Sequence, residues 1–90
     1  MERTLFKIVD ICRVHRLEET FIYELYRNGL IEIILENEQD CIDEEQLPLI
    51  EKFSNWHYDL ELNMQGIEVV SRLLERIEQL QQEVRALKRG

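Results

Sequence analysis

Asn63 to Lys88 reads N-M-Q-G-I-E-V-V-S-R-L-L-E-R-I-E-Q-L-Q-Q-E-V-R-A-L-K, and its spacing decides the fold. There is no proline in it, and the only glycine is Gly66, near the start. Apolar residues recur at Val70, Leu73, Ile77, Leu80, Val84 and Leu87, in steps of three and four. That period is the seam of a coiled coil, narrower than the stripe of an ordinary core-facing helix. Val70, Ile77 and Val84 take the a positions and Leu73, Leu80 and Leu87 the d positions. The seam covers about two and a half heptads, which leaves open a single long helix packed on its own domain. Ile67, Val69 and Leu74 widen the stripe at its start. The expectation is a helix that begins against its own body and ends against a second copy.

Working outward, the rest of the 90-residue chain makes one small domain with a limited core, which pairing would help. Residues 1–60 form the body and residues 61–90 the long helix. The net charge of −8 lies wholly in the body, which carries six Lys/Arg against fourteen Asp/Glu; the last thirty residues carry five of each. An acidic body repels phosphate backbones at long range and attracts basic protein surfaces, although a merely solvated acidic surface gives the same balance. No apolar run is long enough to span a membrane. Met1 to Lys7 lacks the apolar stretch of a signal peptide, so a cytoplasmic protein is expected. Cys12 and Cys41 lack metal-ligand spacing, and His15 and His57 complete no zinc pattern. Both cysteines read as buried small hydrophobes of a reducing compartment.

Ile8, Val9, Ile11 and Cys12 give a first short helix, and Arg16-Leu17 breaks it. Glu18-Glu19-Thr20 opens a second, with Phe21, Ile22, Leu25 and Tyr26 facing the core and Asn28-Gly29 ending it. Leu30 to Leu35 predicts a strand, Glu36 to Asp40 a polar turn, and Cys41-Ile42 a short return strand, which together make a small hairpin, or wing. Asp43 is the expected N-cap of a third helix, with Gln46 completing a capping box. Pro48 moves the regular start of that helix toward Leu47. Leu47, Ile50, Phe53, Trp56 or His57, and Leu60 form its apolar face. Asn63 is the expected N-cap of the long helix. The fold expected is mainly α: a winged helix-turn-helix with a small β-wing and a long C-terminal dimerisation helix.

The phrase L-E-E-T-F-I-Y-E-L-Y-R-N-G-L-I, from Leu17 to Ile31, resembles the MerR-type winged helix-turn-helix. The joint at Asp59, Leu60, Leu62, Asn63, Gly66 and Ile67, and the helix that follows, are similar to those of the CbpM family of chaperone modulators, which share the MerR-like fold. That resemblance implies a dimer formed through the terminal helix. It also implies binding to the J-domain of a CbpA-type or DnaJ-type co-chaperone, restraining its stimulation of an Hsp70 chaperone. MerR-type resemblance favours antiparallel helix pairing.

MerR-type regulators usually carry an Arg and a Tyr where this chain has Tyr23 and Glu24. They also carry an Arg in the wing where it has Asp40. Phosphate neutralisation by Lys and Arg supplies most of the affinity for duplex DNA, so a face bearing Glu18, Glu19 and Glu24 is poorly suited to it. Arg13, Arg16 and Arg27 remain near the helix-turn-helix, and pairing with neighbouring glutamates is expected of them. Duplex DNA is therefore not the expected partner. The expected contact surface is Glu18, Glu19, Tyr23 and Glu24, facing the basic second helix that the resemblance gives a J-domain. Plain solvent exposure accounts equally well for any one of these glutamates. Tyr23, Tyr26, Trp56 and Tyr58 are candidate anchors, with core packing the stronger reading for Trp56 and Tyr26. The alternative is a MerR-type DNA-binding transcriptional regulator. No acid–base pair, phosphate loop, metal-ligating pair or nucleophile motif is present, so no enzyme activity, cofactor or metal is expected.

Overall fold

A computed structural model describes residues 3–89. Met1 and Glu2, on which the reading of the N-terminus partly rests, lie outside the described residues, as does Gly90. The order of elements is β1 (Leu5–Lys7), α1 (Ile8–His15), α2 (Glu19–Arg27), β2 (Ile34–Glu36), β3 (Gln39–Asp43), a 3-10 turn (Glu44–Gln46), α3 (Leu47–Tyr58) and α4 (Met64–Arg89). It is a winged helix-turn-helix with a long C-terminal helix, as the spacing predicts.

The wing is larger than the sequence suggests. The three strands form one antiparallel sheet in the order β1-β3-β2, with Phe6 opposite Ile42 and Ile34 opposite Cys41. β1 is an unexpected third strand, which carries the chain straight into α1. The expected strand from Leu30 starts only at Ile34. Before it, Ile31 is buried, Leu30 and Ile33 pack against the core, and the Glu32 N–H donates to Gln46 Oε1 at 3.1 Å. Leu30, Ile31 and Ile33 are apolar because they fill the core, and none of the three is paired in the sheet. The polar turn also shrinks, to Asn37 and Glu38, both with positive φ (50° and 62°), as a tight two-residue hairpin requires. Asp40 consequently belongs to β3.

Helix ends follow local rules. At the end of α2, Gly29 (φ 73°) is left-handed, Leu30 N–H donates to Leu25 C=O and Gly29 N–H to Tyr26 C=O, both at 3.0 Å. That is the double closure of a Schellman motif. α1 ends in the same manner on Arg16 (φ 56°), a residue with a Cβ, with Leu17 N–H on Cys12 C=O at 2.9 Å. Asp43 caps the 3-10 turn by accepting from Glu45 N–H at 2.8 Å and also takes Arg3 Nε at 2.7 Å. Gln46 does not complete the capping box, because its side chain is committed to Glu32. α3 begins at Leu47 with Pro48 in its first turn, where the missing N–H costs nothing.

The core joins Ile8, Ile11 and Cys12 of α1, Phe21, Ile22 and Leu25 of α2, Ile31, Ile42 of β3, Ile50 and Phe53 of α3, and Ile67 of α4. Cys41 is buried as well, and both thiols are free. Three residues expected on apolar faces of the body lie outside the core, among them Val9, which is 56% exposed. Tyr26 is 49% exposed, and Leu60, past the end of α3, is 64% exposed. At the joint, Leu62 N–H donates to Trp56 C=O at 3.1 Å, and His57 Nδ1–H donates to Leu62 C=O at 2.8 Å. The His57 ring stacks on Phe21 at 4.8 Å, tying the joint to α2. Asn63 Oδ1 accepts from Gly66 N–H at 2.8 Å, so it caps α4 as expected. Ile67 is fully buried. Beyond Val70 the helix leaves the body and projects alone, giving overall extents of 51 × 37 × 20 Å.

Candidate interface on the helix-turn-helix face

α1 and α2 are joined by a tight turn made possible by the left-handed Arg16. Phe21, Ile22 and Leu25 anchor α2 in the core, which turns Glu24 and Arg27 outward. Glu18 is the extended residue ahead of the helix and Glu19 its first residue, both exposed at the positive end of the helix dipole. Thr20 Oγ1 donates to Glu18 at 3.5 Å.

Tyr23 differs from the three glutamates. It is half-buried, and its hydroxyl donates to Asp40 Oδ2 of β3 at 2.6 Å. The phenol is pushed up to about 12, first by that hydrogen bond and then by burial and the charges of Asp40 and Glu19. Tyr23 and Asp40 line a small pocket with Lys7, Ile8, Val9, Glu19 and Gln39. The expected surface therefore divides: Glu18, Glu19 and Glu24 are free on the outside, while Tyr23 is engaged in holding the wing to α2. Tyr23 and Asp40 are the two positions where the resemblance expects arginines, but nothing local in the sequence signals their pairing.

The arginines do not pair as expected. Arg13 is bound to Asp10 on its own helix at 3.0 Å rather than to a glutamate. Among the described residues neither Arg16, in the turn, nor Arg27, at the end of α2, makes an ion pair. Both are exposed. Of the other candidate anchors, Trp56 packs edge-on against Phe53 at 5.6 Å, and Lys52 Nζ lies 5.4 Å from the centre of its ring. Tyr58 is 46% exposed and meets Phe21 edge-on.

The second exposed feature is α4. Leu73, Ile77, Leu80, Val84 and Leu87 are all exposed, with Val70 half-buried at the root of the stripe. No described helix is long and apolar enough to cross a membrane. Among the described residues no group of His, Cys, Asp and Glu is placed to hold a metal.

A helix-turn-helix closed by a three-stranded wing, carrying a long helix with an exposed apolar stripe, defines a winged helix-turn-helix regulator. The model for the MerR HTH family regulatory protein matches residues 6–89, and the chain belongs to that family. None of the curated proteins compared with the chain matches it. The family is one of regulatory proteins rather than enzymes, and it binds DNA. This membership corrects the expectation that duplex DNA is not a partner. That expectation rested on the acidic face of Glu18, Glu19 and Glu24 and on the missing arginines at Tyr23 and Asp40, whereas Arg16 and Arg27 are exposed cations free to contact phosphates.

Proposed function

We infer that the chain is a dimeric regulator of the MerR type that binds duplex DNA through its helix-turn-helix, two copies being joined by α4. The observation that carries this reading is the family match, which runs through body and terminal helix alike. Arg16 and Arg27 supply the phosphate contacts, and Val70, Leu73, Ile77, Leu80, Val84 and Leu87 the dimer seam. Residues 1–60 act as the reading body and residues 61–90 as its axis. The two free, buried cysteines suit a cytoplasmic setting. Fluorescence anisotropy with a labelled mixed-sequence duplex of about 30 base pairs tests it. With roughly four phosphates neutralised per dimer, log K falls against log salt with a slope of about −3.6. Absence of binding at tens of micromolar in low salt would overturn it.

A second reading is favoured by Glu18, Glu19 and Glu24, which are exposed and unpaired among the described residues. They make α2 a match for a basic helix, which fits the chaperone-modulator resemblance: binding the J-domain of a CbpA-type co-chaperone and inhibiting its stimulation of Hsp70. Charge complementarity of this kind sets encounter and orientation. The double change Glu18→Lys with Glu24→Lys separates the two readings. It strengthens binding to duplex DNA under the first, and under the second it abolishes the calorimetric signal with a J-domain.

A further inference from the structure

Thr20, Tyr23, Glu24 and Arg27 stand at i, i+3, i+4 and i+7 of α2, on the face opposite the buried Phe21, Ile22 and Leu25. The Tyr23 hydroxyl is committed to Asp40, Thr20 Oγ1 donates to Glu18, and Arg27 is a phosphate contact of the reading above. Glu24 is engaged only through its backbone. Its C=O accepts from Asn28 N–H at 3.1 Å and from Asn28 Nδ2 at 2.8 Å. Its carboxylate is exposed and makes no ion pair among the described residues. We propose that Glu24 is the residue through which this chain reads sequence, and that it selects a cytosine in the major groove by accepting from the N4 amino group of the base. The proposal rests on the DNA-binding reading above and names what that site reads.

The seat of α2 follows from its two flanking cations. Arg16 lies in the turn ahead of α2 and Arg27 is its last residue, at opposite ends of a helix of nine residues. Such a helix is about 14 Å long, and the major groove of B-form DNA is about 12 Å wide. Cations at the two ends therefore meet phosphates on either rim, and the middle of the outward face lies over the base edges. That is the general placement of the second helix of a helix-turn-helix. Glu24 stands near that middle.

A carboxylate in this position has two opposed effects. Phosphates repel it, so it lowers affinity for duplex DNA of any sequence. It also accepts hydrogen bonds and donates none. Guanine shows only the acceptors N7 and O6 in the major groove, and thymine shows the acceptor O4 and a methyl group, so neither answers it. Adenine sets its N6 amino group beside the N7 lone pair, which suits an amide that accepts and donates together. Cytosine presents a donor alone, and it is the base that an acceptor-only side chain matches.

The test is selection of bound duplexes from a library with about 20 randomised base pairs, enough for two half-sites. Wild type, Glu24→Gln and Glu24→Ala are each selected and read by sequencing. Wild type enriches cytosine at one position of each half-site, and replacing that cytosine weakens binding about fivefold to 150-fold in fluorescence anisotropy. Glu24→Gln moves the preference at the same position to adenine, because glutamine pairs with N6 and N7 together. Glu24→Ala loses the preference there, keeps the rest of the motif, and binds mixed-sequence duplex more tightly than wild type. The carboxylate supports no contact within the fold, so both variants match wild type by circular dichroism. One motif shared by all three proteins overturns the proposal. So does a Glu24-dependent position that prefers any base but cytosine, or binding by wild type with no base enriched. These three results leave the DNA-binding reading standing, whereas failure of wild type to bind any duplex at tens of micromolar in low salt overturns that reading itself.

Discussion

Tyr23 of α2 and Asp40 of β3 are joined by a hydrogen bond of 2.6 Å between phenol and carboxylate. The bond fastens the wing to the outer helix of the helix-turn-helix and consumes the two positions at which MerR-type resemblance expects basic contacts. The geometry of the interface in this chain therefore depends on a neutral phenol.

Spectrophotometric titration of the phenols tests the state of Tyr23, which ionises near 12. A raised phenol pKa stabilises the fold below the ordinary value of about 10, and the contribution is lost as the pH rises through the folded value. Tyr23→Phe should remove the high-pH step and lower stability by about 1 kcal/mol at neutral pH. A titration in which every tyrosine ionises near 10 would contradict the pairing.

Asp43 carries the opposite linkage. The Glu45 N–H and then the Arg3 guanidinium hold its carboxyl below the usual carboxylate range. Its stabilising contribution is present above the unfolded value of about 4 and is lost as the pH falls through the folded value. Thermal melts between pH 2 and 7 should show Asp43→Asn losing stability at neutral pH and converging on wild type at the acid end. Parallel curves for the two proteins would refute the assignment.

Gly66 is held small by space. A Cβ there would stand 3.3 Å from Asn63 Oδ1 and 3.6 Å from Leu62 Cδ2. Gly→Ala inside a helix ordinarily gains about 1 kcal/mol. Here the Cβ pushes on the cap that Asn63 provides, itself worth about 1 kcal/mol. Gly66→Ala should therefore gain nothing in chemical denaturation, and Asn63→Ala should lose about 1 kcal/mol. A clear rise in stability for Gly66→Ala would show that the cap can yield.

Ile67 and Ile77 lie on one helix and should respond in opposite ways. Ile67 is fully buried, so Ile67→Ala should destabilise the monomer by about 2–5 kcal/mol. Ile77 is 49% exposed, so Ile77→Asp should leave the body folded by circular dichroism while shifting sedimentation to a monomer. Unfolding of both variants would place the stripe in the fold rather than between copies.

The legible parts of this fold were local. Asn63 with Gly66, Asn28 with Gly29, and Pro48 in the first turn of α3 each act within a turn or two of chain, and the period of α4 needs no partner to be seen. What escaped were features settled at long range. Leu5–Lys7 has no alternation and no turn beside it, and becomes a strand only because β3 offers it an edge. Leu30, Ile31 and Ile33 have strand-like composition but place their side chains in the core. Gln46 is spaced for a capping box and is diverted by the Glu32 N–H. At the candidate site Glu18, Glu19 and Glu24 are exposed, as expected of plain solvated acids. The role of Tyr23 depended on where a distant aspartate would fall, and the freedom of Arg16 and Arg27 on which glutamates would reach them.

The third strand has a consequence for how the chain is made. β1 precedes the other elements of the sheet in the chain, yet among the described residues its sheet neighbour is β3, with Leu5 opposite Asp43. Helices α1 and α2 and the hairpin turn can form from adjacent residues as they emerge, at small entropic cost. The N-terminal strand must wait for nearly forty more residues before its edge is closed. During synthesis the last act of assembling the wing therefore belongs to its earliest residues.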